Sequence, residues 1–509
     1  MQAEDNKRIA KNTFLLYIRM LFIVIVGLYT SRLILQTLGI VDYGINNVVG
    51  GIITFIGFMT NSLAGASSRY ITFALGKGNM DYLKSIFNNI ISIHLLFAFV
   101  ILIIGETIGL WFITTQLNIP EDRANAAMWV YQFSILTAMS GFISMPFNAA
   151  IIAHEKMSTF AYISIGDTIL KLIAVLLLTI VPYDKLITFA FISFVVQFFD
   201  FSIYIIYCFN KFEETKIKRI QIDKAMFKEL FYYAGWTMNG NLAIFGYTQG
   251  LNILLNLFFN PTINAARGIA VQVQNIINNF SNNFQTALNP QLTKSYAQNN
   301  LTRMHELLIS SSKFSIFLML LICLPLMLEI EIILKWWLGE YPEYSCIFLR
   351  LVLITSILYC LANPIITSIH ATGKIKWFQI IEGTLLLSIV PISYICLTLF
   401  NIPPYSVFII HIIIEIITQY ARLKIVLPQI KMKMKDYYIN ALKPICNVMI
   451  VAPIIPFIIY LNLKQGFVSF IIICLLSTIS SLTSIYFLGC NKNERKIINS
   501  KIKQKWTFN

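Results

Sequence analysis

Apolar runs longer than about 18 residues recur from one end of this chain to the other, and no aqueous fold hides so many; such runs require a bilayer. Windows of about 20 apolar residues fall near 14–38, 45–67, 87–113, 125–152, 159–181, 186–209, 231–258, 263–289, 307–334, 346–369, 377–400, 404–427, 439–461 and 466–489, making fourteen candidate transmembrane helices. Composition agrees: of 509 residues, 57% are hydrophobic and only 12% charged, against about 25% charged in a soluble domain. The expected fold class is an all-α integral membrane protein. The windows 45–67 and 263–289 are crowded with Asn, Gln, Ser, Thr and Gly, and polar spans in a bundle face water or other helices.

The net charge of +15 would suggest nucleic acid in a soluble protein, so its distribution decides. With the N terminus in the cytoplasm, 30 of the 39 Lys and Arg fall on inner segments and seven on outer ones, Arg32, Arg123, Lys185, Arg267, Lys335, Arg350 and Lys464. Arg19 and Lys171 lie inside spans. This bias predicts an even span count with both termini cytoplasmic. The positive charge is thus a topology signal and a contact with anionic membrane lipid, and no nucleic-acid partner is expected.

Several chemistries find no residues to carry them. The first apolar stretch is too long for a secretory signal and lacks an A-x-A-like site, so it is expected to remain as the first helix. Eight cysteines are scattered without C-x-x-C spacing, and His94, His154, His305, His370 and His411 lack ligand spacing, so no metal site is expected. No G-x-x-x-x-G-K-[ST] phosphate loop occurs, so ATP hydrolysis is not expected of this chain, and no cofactor is called for.

The chain repeats itself at an offset of about 220. Met80 to Phe87 aligns with Leu301 to Leu308, and Pro146 to Phe160 aligns with Pro364 to Phe378, matching the prolines, Ala153 with Ala371, Lys156 with Lys374, and the phenylalanines. Two matches at nearly one offset indicate parallel halves of six spans, because six spans return the chain to the same side. The expected domains are residues 1–226 (spans one to six), 227–428 (spans seven to twelve), and 429–509, the last two spans with a basic cytoplasmic tail.

Ser31-Arg32-Leu33 followed by Leu38-Gly39-Ile40-Val41-Asp42-Tyr43-Gly44, then Ala153-His-Glu-Lys-Met157, and the run from Asn264-Ala-Ala-Arg-Gly-Ile-Ala270 to Asn289-Pro-Gln291 resemble bacterial polysaccharide flippases. These are the Wzx-type lipopolysaccharide-biosynthesis proteins of the multidrug/oligosaccharidyl-lipid/polysaccharide exporter superfamily. The resemblance covers the whole chain through the order and spacing of these segments. It implies a MATE-like fold with a V-shaped cavity between two six-helix lobes. It also implies a transporter moving lipid-linked oligosaccharide across the bacterial inner (cytoplasmic) membrane.

A charge at the bilayer centre costs about 2.5–3.5 kcal/mol on insertion scales, so those that persist are paired, hydrated or functional. Arg19 and Arg32 lie thirteen residues apart, about 20 Å along a helix, and could receive a diphosphate at different depths or snorkel to the headgroups. Arg267 opens the eighth span ahead of Gln272, Gln274, Asn275, Asn278, Asn279, Asn282, Asn283 and Gln285. Amides match sugar hydroxyls and an arginine fork matches phosphate oxygens; the alternative is amides that glue helices together. The second span repeats this character and ends at Arg69. The diphosphate and sugar candidates are therefore Arg19, Arg32, Arg69, Arg267, Asn275 and Asn279. Asp167 and Lys171 share a helical face and could neutralise each other, whereas Glu382 has no equally spaced lysine and reads as unpaired. Asp167, Glu382, Asp200 and Glu415 are the candidate acceptors of a coupling proton or sodium ion.

The expected function is ion-coupled flipping of an undecaprenyl-diphosphate-linked oligosaccharide from inner to outer leaflet, for O-antigen, capsule or exopolysaccharide synthesis, with membrane lipids and the polysaccharide polymerase machinery as partners. A multidrug exporter of the same superfamily is the first rival, and its cationic substrates would prefer an acidic cavity. A membrane-embedded polymerase or ligase is the second, but no outer segment much exceeds about twelve residues, too short for a catalytic loop. No enzyme activity is expected.

Overall fold

The computed structural model describes residues 2–54, 57–115, 120–216, 222–259, 261–463, 466–496 and 499, and among them there is no strand. The helices, in order, are α1 Gln2–Thr54, α2 Gly57–Lys77, α3 Met80–Ile104, α4 Ala124–Ala153, α5 Met157–Leu177, α6 Lys185–Lys211, α7 Lys224–Phe258, α8 Pro261–Ala297, α9 Leu301–Leu328, α10 Ile330–Leu338, α11 Ser345–Thr372, α12 Lys376–Phe400, α13 Ser406–Gln429, α14 Met434–Asn462 and α15 Phe467–Gly489. Among the described residues, ten helical stretches are long and apolar enough to cross a membrane, and each coincides with a predicted window. The window 14–38 falls on α1, whose stretch Asn12–Gly27 is a shorter apolar helix; 45–67 covers the end of α1 and the start of α2, and 231–258 and 263–289 fall on the more polar α7 and α8. Most of the basic tail lies outside the described residues.

Helical packing is turned inside out relative to a soluble protein. On α13, Ile409, Ile413, Ile416, Ile417 and Tyr420 are exposed, while Glu415, Thr418, Gln419 and Arg422 are buried. That arrangement suits a hydrocarbon solvent, in which backbone polar groups are satisfied within the helix and polar side chains turn inward.

The repeat seen in the sequence reappears as matching local structure. Gly78 (φ 71°) and Asn299 (φ 56°) are left-handed turns, and the next residue of each is an N-cap. The Asn79 side chain accepts from the Tyr82 N–H at the start of α3, and Asn300 accepts from the Arg303 N–H at the start of α9. Such caps satisfy donors that the first helical turn leaves open, typically contributing about 1 kcal/mol. The second aligned pair does the same at the other end of a helix. Pro146 and Pro364 lie inside α4 and α11, and Glu155 (φ 58°) and Gly373 (φ 78°) provide the left-handed residue after each.

The chain divides into two compact units, Met1–Leu242 with Thr293–Asn299, and Ala243–Leu292 with Asn300–Asn509. One boundary between them falls inside α7, and α14 and α15 belong to the second unit. In unit 1, α1 breaks at Gly39, whose φ of 79° interrupts an otherwise helical run; only glycine adopts this without strain. Its core gathers Val49, Ala127, Val130, Tyr131 and Leu186. After Ile104 the helix widens into a π segment, Gly105–Gly109, where the Tyr131 hydroxyl donates to the Gly105 carbonyl at 2.7 Å. In unit 2, Leu255, Ala266, Phe348, Ile389 and Val407 form the centre of the core. There α15 is fastened to α9: fully buried Lys313 donates to Glu494 at 2.8 Å and to the Gly489 carbonyl at 3.2 Å.

Candidate functional site

Each unit carries its own cluster of charge. In unit 1, α1, α5 and α6 bring Arg19, Asp167, Lys171, Asp200 and Tyr204 into one electrostatic neighbourhood. The Arg19 guanidinium lies over the Phe160 ring, 4.4 Å from its centroid. Lys171 donates to Asp167 at 2.8 Å, and Asn148 donates to the Tyr204 hydroxyl at 3.1 Å. Two cations thus face two carboxylates, yet Arg19 Nε and one oxygen each of Asp167 and Asp200 are buried without a hydrogen-bond partner. Buried polar atoms left open are uncommon and call for an explanation. The sequence separated Arg19, as a phosphate ligand, from Asp167 and Asp200, as ion sites; the structure brings them together. Asn148 and Tyr204 escaped the sequence reading because neither is charged.

The other basic candidates lie in different settings. Arg69, on α2, is buried with its guanidinium over the rings of Tyr70, Phe73 and Tyr233, while the Tyr70 hydroxyl donates to Glu229 at 3.0 Å. Arg32 is on α1, and its side chain lies outside the described residues.

In unit 2, α8 divides its amides between two tasks. Gln272, Asn275, Asn279 and Asn282 are exposed, and their spacing of three and four residues sets them on one helical face. Elsewhere on the helix, buried Gln285 donates to Ser315 and accepts from Ser311 at 3.0 Å, and the half-buried Asn289, two turns beyond Asn282, accepts from Thr367 at 3.1 Å. Helix gluing therefore accounts for some of the amides and leaves an exposed polar stripe over. An exposed amide row in hydrocarbon would cost several kcal/mol, so this face requires water or a polar ligand.

Arg267 does not sit on that stripe. It is 4% exposed; Nε donates to Asn252, Nη2 donates to the Thr248 carbonyl at 2.9 Å, and the guanidinium packs near the Phe408 ring. Among the described residues no carboxylate pairs with it. Although Arg267 precedes the amides in the same span, one residue of helical rotation separates it from their face and turns it inward.

The reading of Glu382 as unpaired is also corrected. Arg422 of α13 donates to Glu382 of α12 at 2.7 Å, and to Glu415 at 2.5 Å and Gln419 at 3.1 Å on its own helix. The sequence assigned Arg422 to the inner basic segments, but it is buried inside the bundle, 2% exposed.

One ion-pair network outside the spans was not anticipated. Arg123 donates to both Asp42, just beyond the Gly39 break, and Asp184, the N-cap of α6. Burial pushes the Asp184 carboxyl up, but the Arg123 hydrogen bond and the backbone N–H groups of Ile187 and Leu186 outweigh it and hold the carboxyl below its usual value.

No protein-family model and no curated protein matches the chain. Solved structures do. The chain is similar to an outward-facing multidrug resistance MATE family transporter of the MOP superfamily, at 12% identity over 84% of this chain and 96% of that one, with a TM-score of 0.73. It is similar to a MATE in the bent conformation at 11% identity, 84% and 96% coverage and a TM-score of 0.71. A third is a MOP superfamily transporter from Pyrococcus furiosus, described as having a binding pocket of reverse polarity that suggests a different function; identity is 12%, coverage 83% and 96%, and TM-score 0.67. These likenesses establish the MATE fold.

Proposed function

We propose that this chain is a transporter that flips an undecaprenyl-diphosphate-linked oligosaccharide from the inner to the outer leaflet of the bacterial cytoplasmic membrane, by ion-coupled alternating access. The observation that carries the reading is the exposed amide stripe of α8, in the same unit as Arg267, a buried cation that no carboxylate pairs with among the described residues. Amides exchange hydrogen bonds with sugar hydroxyls in both directions, and a guanidinium short of a counter-charge is suited to a phosphate. Arg19, with an open Nε, offers a second such group. Coupling through carboxylates at membrane depth follows from the absence of a nucleotide loop in the sequence.

Multidrug export is the reading favoured by the first fold neighbour. Against it, cations accompany the intramembrane carboxylates: Lys171 pairs with Asp167, and Arg422 bridges Glu382 and Glu415. The reverse-polarity MOP protein is a precedent for one fold serving substrates of different charge. The two readings separate in a deletion strain complemented with wild type, Arg19→Ala or Arg267→Ala. Flipping predicts lipid-diphosphate oligosaccharide accumulating on the cytoplasmic leaflet and loss of surface polysaccharide, reversed by wild type and not by either variant. Intact polysaccharide with heightened sensitivity to cationic dyes would instead establish drug export.

A further inference from the structure

Three side-chain oxygens from two helices point at one place inside unit 2. Glu382 Oε1, Glu415 Oε1 and Gln419 Oε1 all accept from Arg422. Oxygens converging from facing helices are what a bare cation demands of its ligands, and here the chain's own guanidinium stands at their focus. The Gln419 amide is turned so that its oxygen meets Arg422, although this leaves its buried Nε2 without an acceptor, an orientation that has to be offset by the charge-assisted bond it makes.

The charges do not balance. Two carboxylates against one guanidinium leave one negative charge in the interior of the bundle, where unpaired charge is expensive. Among the described residues no second cation pairs with the cluster. Tyr359 of α11, Tyr247 of α7 and His411 of α13 lie within electrostatic range of the cluster, and none of them carries a fixed positive charge.

We propose that the Glu382–Glu415 pair holds one exchangeable proton and takes no alkali-metal ion, with Arg422 as the tethered cation in the place a metal would occupy. This rests on the transporter reading above and deepens it by naming the coupling ion at this site. Binding forms one O–H bond on a carboxylate oxygen and brings the cluster to net zero; release returns the proton to water and leaves one negative charge shared across Arg422. Arg422 is therefore the residue that sets ion specificity, acting by position.

The test uses purified full-length protein without substrate, so its failure leaves the flippase reading untouched. Thermal unfolding is compared in sodium chloride and choline chloride at equal ionic strength for wild type and Arg422→Ala. The wild type should be indifferent to the cation, and Arg422→Ala should be stabilised by sodium. In parallel, the infrared carbonyl stretch of a protonated carboxylic acid should be present in wild type in mild acid, vanish in mild alkali, and be missing from Glu382→Gln, whose single remaining carboxylate is matched by Arg422. If Arg422→Ala does not fold, wild type and Glu382→Gln still decide. Stabilisation of wild type by sodium, a folded Arg422→Ala blind to sodium, or the absence of a titrating carboxylic band from wild type would each overturn the proposal.

Discussion

Lys313 and Glu494 are 181 positions apart, and their pairing shows how little of a buried charge's role is visible from its local sequence. Lys313 looks like one of many inner basic residues, yet it is among the largest fully buried side chains. Removing one partner of a buried pair costs about 3–5 kcal/mol because the other charge is left unsatisfied. Glu494→Gln, which leaves the buried Lys313 charge without its carboxylate, should lose up to that much in unfolding experiments in detergent, and adding Lys313→Met should recover part of it. Asp184 gives a prediction about pH. Its carboxyl lies below the usual value in the folded protein, so the stability it contributes is present above the unfolded carboxylate value and is lost as pH falls through the folded one. The stability difference between wild type and Asp184→Asn should therefore shrink toward acid, measured by thermal unfolding across a pH series. Arg422 belongs here too: the positive-inside count groups it with its basic neighbours, and tertiary burial separates it from them.

At the scale of elements, the repeat was the most legible feature. Asn79 and Asn300 cap equivalent helices, Gly78 and Asn299 turn into them, and Pro146 and Pro364 occupy equivalent helices; caps, turns and prolines are local devices that sequence alignment can detect. The π segment was not legible, since nothing local to Gly105–Gly109 announces Tyr131 on the facing helix. A Cβ on Gly109 would lie 2.0 Å from the Tyr131 hydroxyl. Gly109→Ala should therefore destabilise the protein by about 1–3 kcal/mol, and Tyr131→Phe in the same chain should relieve part of the loss, because it removes the clashing oxygen. A double-mutant cycle that shows simple additivity would contradict this packing account. The amide-rich span was legible as polar but not as two-sided, because which amides are buried depends on partners such as Ser311 and Ser315 on α9.

For the whole molecule, composition and apolar periodicity sufficed for an all-helical membrane fold, and the fold neighbours agree with it at identities of 11–12%. What the sequence left open was which polar residues meet, since Arg19 with Asp167 and Asp200, and Arg422 with Glu382, are matters of helix rotation and packing. The functional account stands on the exposed stripe of α8, and one reconstitution measures it. Wild type and Asn275→Leu/Asn279→Leu are placed in vesicles containing an undecaprenyl-diphosphate oligosaccharide, and the fraction of sugar shielded from a membrane-impermeant glycosidase is followed with time. The account predicts that wild type moves sugar between leaflets under an imposed proton gradient and that the folded double variant does not. Equal rates for both proteins, or no movement by wild type above empty vesicles, would contradict it.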